Sequence, residues 1–152
     1  LDNGNKGANP GVNGDIAIFS ADFDYTLCKF DFRGAIAYEH IKNASGMGAG
    51  TAEGIFGWYL QGGYHFMPDA WKKGKLADSD AVVFVRHDSV DTQLKMPGGV
   101  DRNPAGRQNE WTFGVNFYPT KNVVVKVDYQ VRSNGNDDDL DDLINFGLGW
   151  EF

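Results

Sequence analysis

The chain has 152 residues, a formal net charge of −7, 14% aromatic residues, 20 glycines and a single cysteine. That length supports one domain with a core of its own, and the negative balance argues against nucleic acid, whose phosphates call for clustered Lys and Arg. One cysteine excludes an internal disulfide, and no stretch reaches the roughly 18 apolar residues that a membrane-crossing helix needs. The mean hydropathy of −0.42 excludes less, because a membrane barrel turns only alternate residues toward lipid.

In chain order, the pattern has a period of two. Ala17, Phe19, Ala21, Phe23 and Tyr25 alternate with Ser20, Asp22 and Asp24. Phe30, Phe32, Gly34, Ile36 and Tyr38 alternate with Asp31, Arg33, Ala35, Ala37 and Glu39. Phe56, Trp58, Leu60, Gly62, Tyr64 and Phe66 alternate with Gly57, Tyr59, Gln61, Gly63 and His65. Around Ala81 to Val90 the pattern is less clean, with Val83, Val85 and His87 opposing Phe84, Arg86 and Asp88.

Three clear segments follow. Trp111, Phe113, Val115 and Phe117 alternate with Thr112, Gly114, Asn116 and Tyr118. Val123, Val125, Val127, Tyr129 and Val131 alternate with Val124, Lys126, Asp128, Gln130 and Arg132. Ile144, Phe146, Leu148, Trp150 and Phe152 alternate with Asn145, Gly147, Gly149 and Glu151.

The pattern predicts seven strands joined as an antiparallel meander. Short turns are expected at Thr26 to Lys29 and Pro119 to Asn122, and long polar loops at Lys42 to Ala52, Thr92 to Gln108 and Ser133 to Asp142. The connection from Met67 to Asp80 is long where the alternation calls for a short one. Cys28 falls in the first turn, where a plain turn or strand-end thiol is the reading.

A soluble sandwich hides its apolar face and a membrane barrel shows the same face to lipid. Three features favour the barrel. The segments run about 10–14 residues, beyond the roughly 5–6 of soluble strands and enough for the ~9–11 of a tilted membrane strand. Aromatic residues crowd the segment ends (Tyr25, Phe30, Tyr64, Phe66, Trp111, Phe117, Trp150 and Phe152), as in the girdles at a membrane interface. The third feature is the terminal run from Asn145 to Phe152, which resembles the last strand of bacterial outer-membrane proteins. In that family this strand is read by the barrel-assembly machinery, so the resemblance implies an assembly signal made of Phe146, Leu148, Trp150 and Phe152.

The segments Val83–Asp88, Trp111–Pro119 and Asn122–Gln130, together with the terminus, resemble the closing strands of the phosphate-selective O/P-type and related Gram-negative porins. The fold expected is thus all-β, a transmembrane antiparallel up-and-down barrel in the bacterial outer membrane. An odd strand count with an extracellular start breaks the rules for single-chain barrels. The 152 residues are therefore expected to be a single β segment, the C-terminal portion of a larger barrel of about 16 strands.

Function is expected from the polar face. Asp22, Asp24, Asp31, Arg33, Glu39, Gln61, Arg86, Asp88, Lys126, Asp128 and Arg132 are the candidate pore-lining residues, with His65 and Glu151 on the same side. They point to a porin with a water-filled channel for passive diffusion of small hydrophilic solutes and ions. The excess of acids leans it toward cations, and no ladder of basic residues is evident. The alternatives are a non-conducting structural or sheathing barrel and, from another class, a soluble β-sandwich binding module.

Asp137, Asp138, Asp139, Asp141 and Asp142 form an acidic run that could take a hard divalent cation, although its spacing is not that of an EF-hand and a solvated acidic loop is the simpler reading. His40, His65 and His87 have no metal-ligand spacing, and no catalytic motif is present. Neither an enzymatic activity nor a cofactor is expected. The partners expected are outer-membrane lipid and lipopolysaccharide, the assembly machinery during biogenesis, and two further copies in a homotrimer, the state common among the porins the chain resembles. Lys72, Lys73 and Lys75 would lie on the periplasmic side, where a solvated turn is the default reading and contact with a partner or anionic headgroups the alternative.

Overall fold

The alternation of large apolar with polar or small residues becomes seven antiparallel strands in a computed structural model, which describes residues 14–48, 50–136 and 138–151. These are β1 (Ile16–Leu27), β2 (Phe30–Ile41), β3 (Gly54–His65), β4 (Asp80–Lys95), β5 (Arg107–Thr120), β6 (Val123–Asn134) and β7 (Asp139–Trp150). Each pairs with the next in sequence, so the strand order is β1-β2-β3-β4-β5-β6-β7 in one sheet with β1 and β7 at its edges. Among the described residues no second sheet covers this one, which leaves no sandwich core.

Pairing carries the period of two across the whole sheet. Phe32 pairs with Gly62, Gly62 with Val85, Val85 with Phe113, and Phe113 with Tyr129. Tyr129 pairs in turn with Ile144. Because a strand's side chains point to opposite faces in turn, this register gathers every apolar set on one face and every polar set on the other.

Both expected short turns are tight. Cys28 and Lys29 alone separate the paired Leu27 and Phe30, and Cys28 takes φ 57, the positive value that primed hairpin turns place at their first central residue. Lys121 and Asn122 separate Thr120 from Val123. Pro119 has no N–H to give the ladder, and it falls where the β5–β6 register shifts between Phe117 and Thr120. At the same end of the sheet, residues 66–79 form the long connection, built from two short 3₁₀ turns, Asp69–Trp71 and Gly74–Leu76. At the opposite end are 42–53, which holds the single helical turn α1 (Ala44–Met47), then 96–106 and 135–138.

Two expected loops are shorter than the composition implied. β4 continues to Lys95, where Glu53 N–H donates to the Lys95 carbonyl at 2.8 Å and the two side chains form an ion pair of 2.9 Å. Arg102 reaches back to Asp91, so polar residues there serve as ladder and clamp. The stretch from Ser133 to Asp142 is mostly strand: Ser133 pairs with Asp139 and Arg132 with Leu140. The Asn134 side-chain oxygen accepts from the N–H of Asn136 at 2.9 Å and of Asp138 at 3.2 Å. This local hydrogen bonding lets Asn close a tight turn, and composition alone had made the segment a long loop.

Candidate functional site

Burial on the two faces is inverted relative to a soluble domain. On the apolar face Phe19 is 67% exposed, Phe113 50% and Phe146 82%, whereas Thr112 and Asp128 on the polar face are 4% and 8% exposed. At roughly 1.5–3 kcal/mol per side chain, an apolar face spanning seven strands and left in water would forfeit more than the roughly 5–15 kcal/mol that stabilises a whole domain. The apolar face needs an apolar solvent.

Aromatic residues mark both limits of that face. Toward the tight turns lie Tyr25, Phe30, Tyr64, Phe66, Phe117 and Trp150; toward the other end lie Trp58 and Trp111. The His87 ring sits between those two, 5.2 Å from Trp58 and stacked 4.3 Å from Trp111, and its Nδ1–H donates to the Glu110 carbonyl at 3.0 Å. That bond explains a histidine on an apolar face without a metal. From Trp111 to Phe117 β5 rises about 20 Å, of the order of the ~25 Å apolar band of outer-membrane barrels.

The polar face carries all eleven sequence-predicted lining residues on one side. Asp24, Arg33, Gln61, Arg86, Thr112 and Gln130 form one row of paired neighbours across the first six strands. A second row runs Tyr59, Asp88, Glu110 and Arg132, and a third runs Asp31, Gly63, Phe84, Gly114, Asp128 and Asn145. Asp22 pairs with Ala35, which pairs with Tyr59, so Asp22 extends the second row, and Glu39, paired with Ile18, lies beyond it.

Most cations on this face have a carboxylate beside them. Arg33 Nε lies 2.9 Å from Asp24 Oδ2, and Arg86 Nε lies 2.8 Å from Asp88 Oδ2 with its guanidinium carbon 4.0 Å over the Tyr59 ring. Lys126 Nζ is 3.8 Å from Asp128 Oδ2, and Asn145 Nδ2 donates to the other oxygen of that carboxylate at 2.9 Å. Arg132 differs, because its guanidinium donates to the Asp141 backbone carbonyl at 2.7 and 3.1 Å.

At the tight-turn end His65 bridges three strands. Its Nε2 is 2.8 Å from Asp31 Oδ2 and its Nδ1 2.5 Å from Asp80 Oδ2. Carboxylates only accept hydrogen bonds, so both ring nitrogens donate and the imidazolium holds the two acids together. Sequence reading placed His65 on this face, but Asp80 lay in a connection, and only the extension of β4 brings it into place. Glu110, Tyr59 and Phe84 share this polar face outside the sequence-predicted set. Glu110 enters through β5 beginning at Arg107 rather than Trp111. Phe84 is 4% exposed with a glycine on each side, Gly63 and Gly114.

The acidic run does not form a metal centre among the described residues: no three His, Cys, Asp or Glu side chains there could hold a metal ion. Asp137 lies outside the described residues. Asp139, Asp141 and Asp142 are on β7, where the pairing with β6 shifts register, and the Tyr129 hydroxyl donates to Asp142. The terminal-strand residues Phe146, Leu148 and Trp150 share the apolar face with Val127, Val125 and Val123; Phe152 lies outside the described residues.

A family model for the phosphate-selective porins O and P matches residues 17–143. The chain belongs to that porin family. No curated protein and no solved structure matches it. Membership makes the molecule a porin-type outer-membrane channel, a function of transport rather than of catalysis. It also supplies the apolar solvent that the exposed face demands, the lipid of the outer membrane. Among the described residues no helix of the porin is long and apolar enough to cross a membrane.

Proposed function

We propose that this porin passes small hydrophilic solutes and ions by passive diffusion along the polar face of its sheet, with no cofactor. The observation that carries this reading is the continuous row from Asp24 to Gln130, polar on every one of six strands. A polar wall of that extent is stable opposite lipid only if water lies against it. Six carboxylates (Asp22, Asp24, Asp31, Glu39, Asp88, Asp128) stand among the eleven lining residues against four cations (Arg33, Arg86, Lys126, Arg132), and three of those cations are matched by a carboxylate. This portion of the wall therefore prefers cations weakly, and the selectivity in the family's name, phosphate, finds no free basic ladder on it.

The seven strands belong to a larger barrel of about 16 strands. β1 and β7 end the sheet, and lipid tolerates no unpaired strand edges. Tight turns face the periplasm and longer loops the exterior, as in outer-membrane barrels generally. Reconstituted in a planar bilayer, the detergent-extracted porin should give ohmic current steps and, under a salt gradient, a reversal potential of cation-selective sign. Silence from heat-modifiable, folded protein would overturn the channel in favour of a plugged or structural barrel. An anion-selective sign would overturn the cation preference alone.

A further inference from the structure

The connection between β3 and β4 is long for the turn end of such a sheet, and its residues are not those of a plain solvated loop. It runs from Phe66 to Ser79 and holds Trp71 and Leu76 with Lys72, Lys73 and Lys75 beside them in sequence. It is an ordered segment: Trp71 N–H donates to the Pro68 carbonyl at 3.0 Å and Leu76 N–H to the Lys73 carbonyl at 3.0 Å. Ser79, 2% exposed, closes it by donating from Oγ to the Leu76 carbonyl at 2.7 Å.

The segment folds onto the apolar face of the sheet. Phe66, Met67, Trp71 and Leu76 line, with Ala81 of β4 and Val115 and Phe117 of β5, an open apolar cavity of about 550 Å³. That volume is within the roughly 300–1,000 Å³ of small-molecule sites. Trp71 remains 63% exposed at its edge. Val115 and Phe117 belong to the lipid-facing side, so the cavity opens on the surface that acyl chains already cover.

Charge completes the description. Asp78 lies 3.9 Å from Lys121 of the neighbouring turn and Asp80 is held by His65, so both acids are engaged toward the polar face. Lys72 is 4.0 Å from Asp69. Lys73 and Lys75 are exposed and, among the described residues, have no carboxylate partner. An apolar cavity, an exposed Trp and unneutralised lysines in one short segment fit an amphiphile with acyl chains and an anionic headgroup.

We infer that residues 66–79 bind an anionic glycerophospholipid of the periplasmic leaflet, its acyl chain in the Trp71–Phe117 cavity and its phosphate on Lys73 and Lys75, with Lys72 adding to the field. This rests on the membrane orientation given under the proposed function. The cavity sets the depth of the segment and the lysines select the headgroup, so the segment anchors the barrel at that interface.

The test is lipid competition on the whole porin, folded in detergent, with phosphatidylglycerol and phosphatidylcholine of identical chains and native mass spectrometry as the readout. Wild type should retain phosphatidylglycerol in roughly tenfold preference, a preference that shrinks as salt rises. The triple variant K72Q/K73Q/K75Q should fall to near parity, and K72R/K73R/K75R should keep the preference. Trp71→Ala should lower retention of both lipids. Parity in wild type, or a preference indifferent to salt or to the Gln variant, would overturn the inference. So would a Gln variant whose only change is in the number of copies associated, which would make the segment a contact between copies. If the Gln variant does not fold, the wild-type salt series decides. Channel current on the same samples separates the two readings: silence with an intact lipid preference sinks the pore alone, and normal current with no preference sinks the lipid site alone.

Discussion

The guanidinium of Arg86 is held by the carboxylate of Asp88, two residues along the same strand and on the same face, with Nε 2.8 Å from Oδ2. The pair places a cation on the polar wall and cancels most of its field at a distance. Asp24 does the same for Arg33 across the β1–β2 ladder, at 2.9 Å. Charge on this wall is thus set by which member of each pair is removed.

Removing the acids should turn the channel toward anions. In D24N/D88N both amides keep the shape of the carboxylates and free Arg33 and Arg86 to face the lumen. The reversal potential in a salt gradient should move toward the anion side while single-channel conductance stays within about twofold. An unmoved reversal potential would mean that these residues do not face the permeation path.

A second prediction turns on the inversion of the two faces. Phe113 and Thr112 are adjacent on β5 and point oppositely, 50% and 4% exposed respectively. In a soluble protein arginine would be tolerated at the exposed Phe113 and damaging at the buried Thr112. In a membrane wall Phe113→Arg should cost about 2–4 kcal/mol and Thr112→Arg less, since its charge reaches water. Denaturant unfolding from lipid vesicles measures both, and the reverse ranking would contradict a lipid-facing Phe113.

Gly114 gives a packing prediction. A Cβ there would stand 2.5 Å from Phe84 Cε1 and 2.9 Å from Asp128 Cβ, because the Phe84 ring lies over the glycine with Lys126 Nζ 5.1 Å from its centroid. Gly114→Ala should destabilise by about 1–3 kcal/mol, and combining it with Phe84→Leu should recover part of the loss. Simple additivity of the two in the same unfolding assay would show that they do not share this contact.

At the end of the chain, Phe146, Leu148 and Trp150 project from the apolar face of β7, continuing the alternation that leads to Phe152. If this strand is the assembly signal, deleting Phe152 should lower the amount of heat-modifiable barrel recovered from outer membranes and leave in vitro refolding into detergent nearly unchanged. Equal loss in both settings would make the residue a stabilising contact instead.

Strand identity and facing were legible in the sequence because both rest on local alternation. Seven strands were expected and seven are present among the described residues, with the paired Leu27 and Phe30 closing where the first turn was read. What escaped depends on pairing. The polar run Asp91 to Lys95 reads as loop until Glu53 and Gly54 of the preceding connection and strand are seen to bond it. The acidic residues Asp139, Asp141 and Asp142 read as loop for the same reason. Asp80 could not be joined to His65 and Asp31 without the register of three strands, since His65 is 15 positions from Asp80 and 34 from Asp31 along the chain. Phe84 on the polar face looks like a break in alternation until its neighbours prove to be glycines, and a large residue opposite small ones is the signal that would have found it.

The central claim is that the polar face lines an open, water-filled path and the apolar face does not. The most direct measurement is block of single-channel current by a charged, membrane-impermeant thiol reagent, in a Cys28→Ser background carrying either Lys126→Cys, whose side-chain position on the polar face is 47% exposed, or Phe113→Cys. The account predicts a stepwise, lasting fall in current for Lys126→Cys and none for Phe113→Cys. Block at Phe113→Cys with no effect at Lys126→Cys would contradict it.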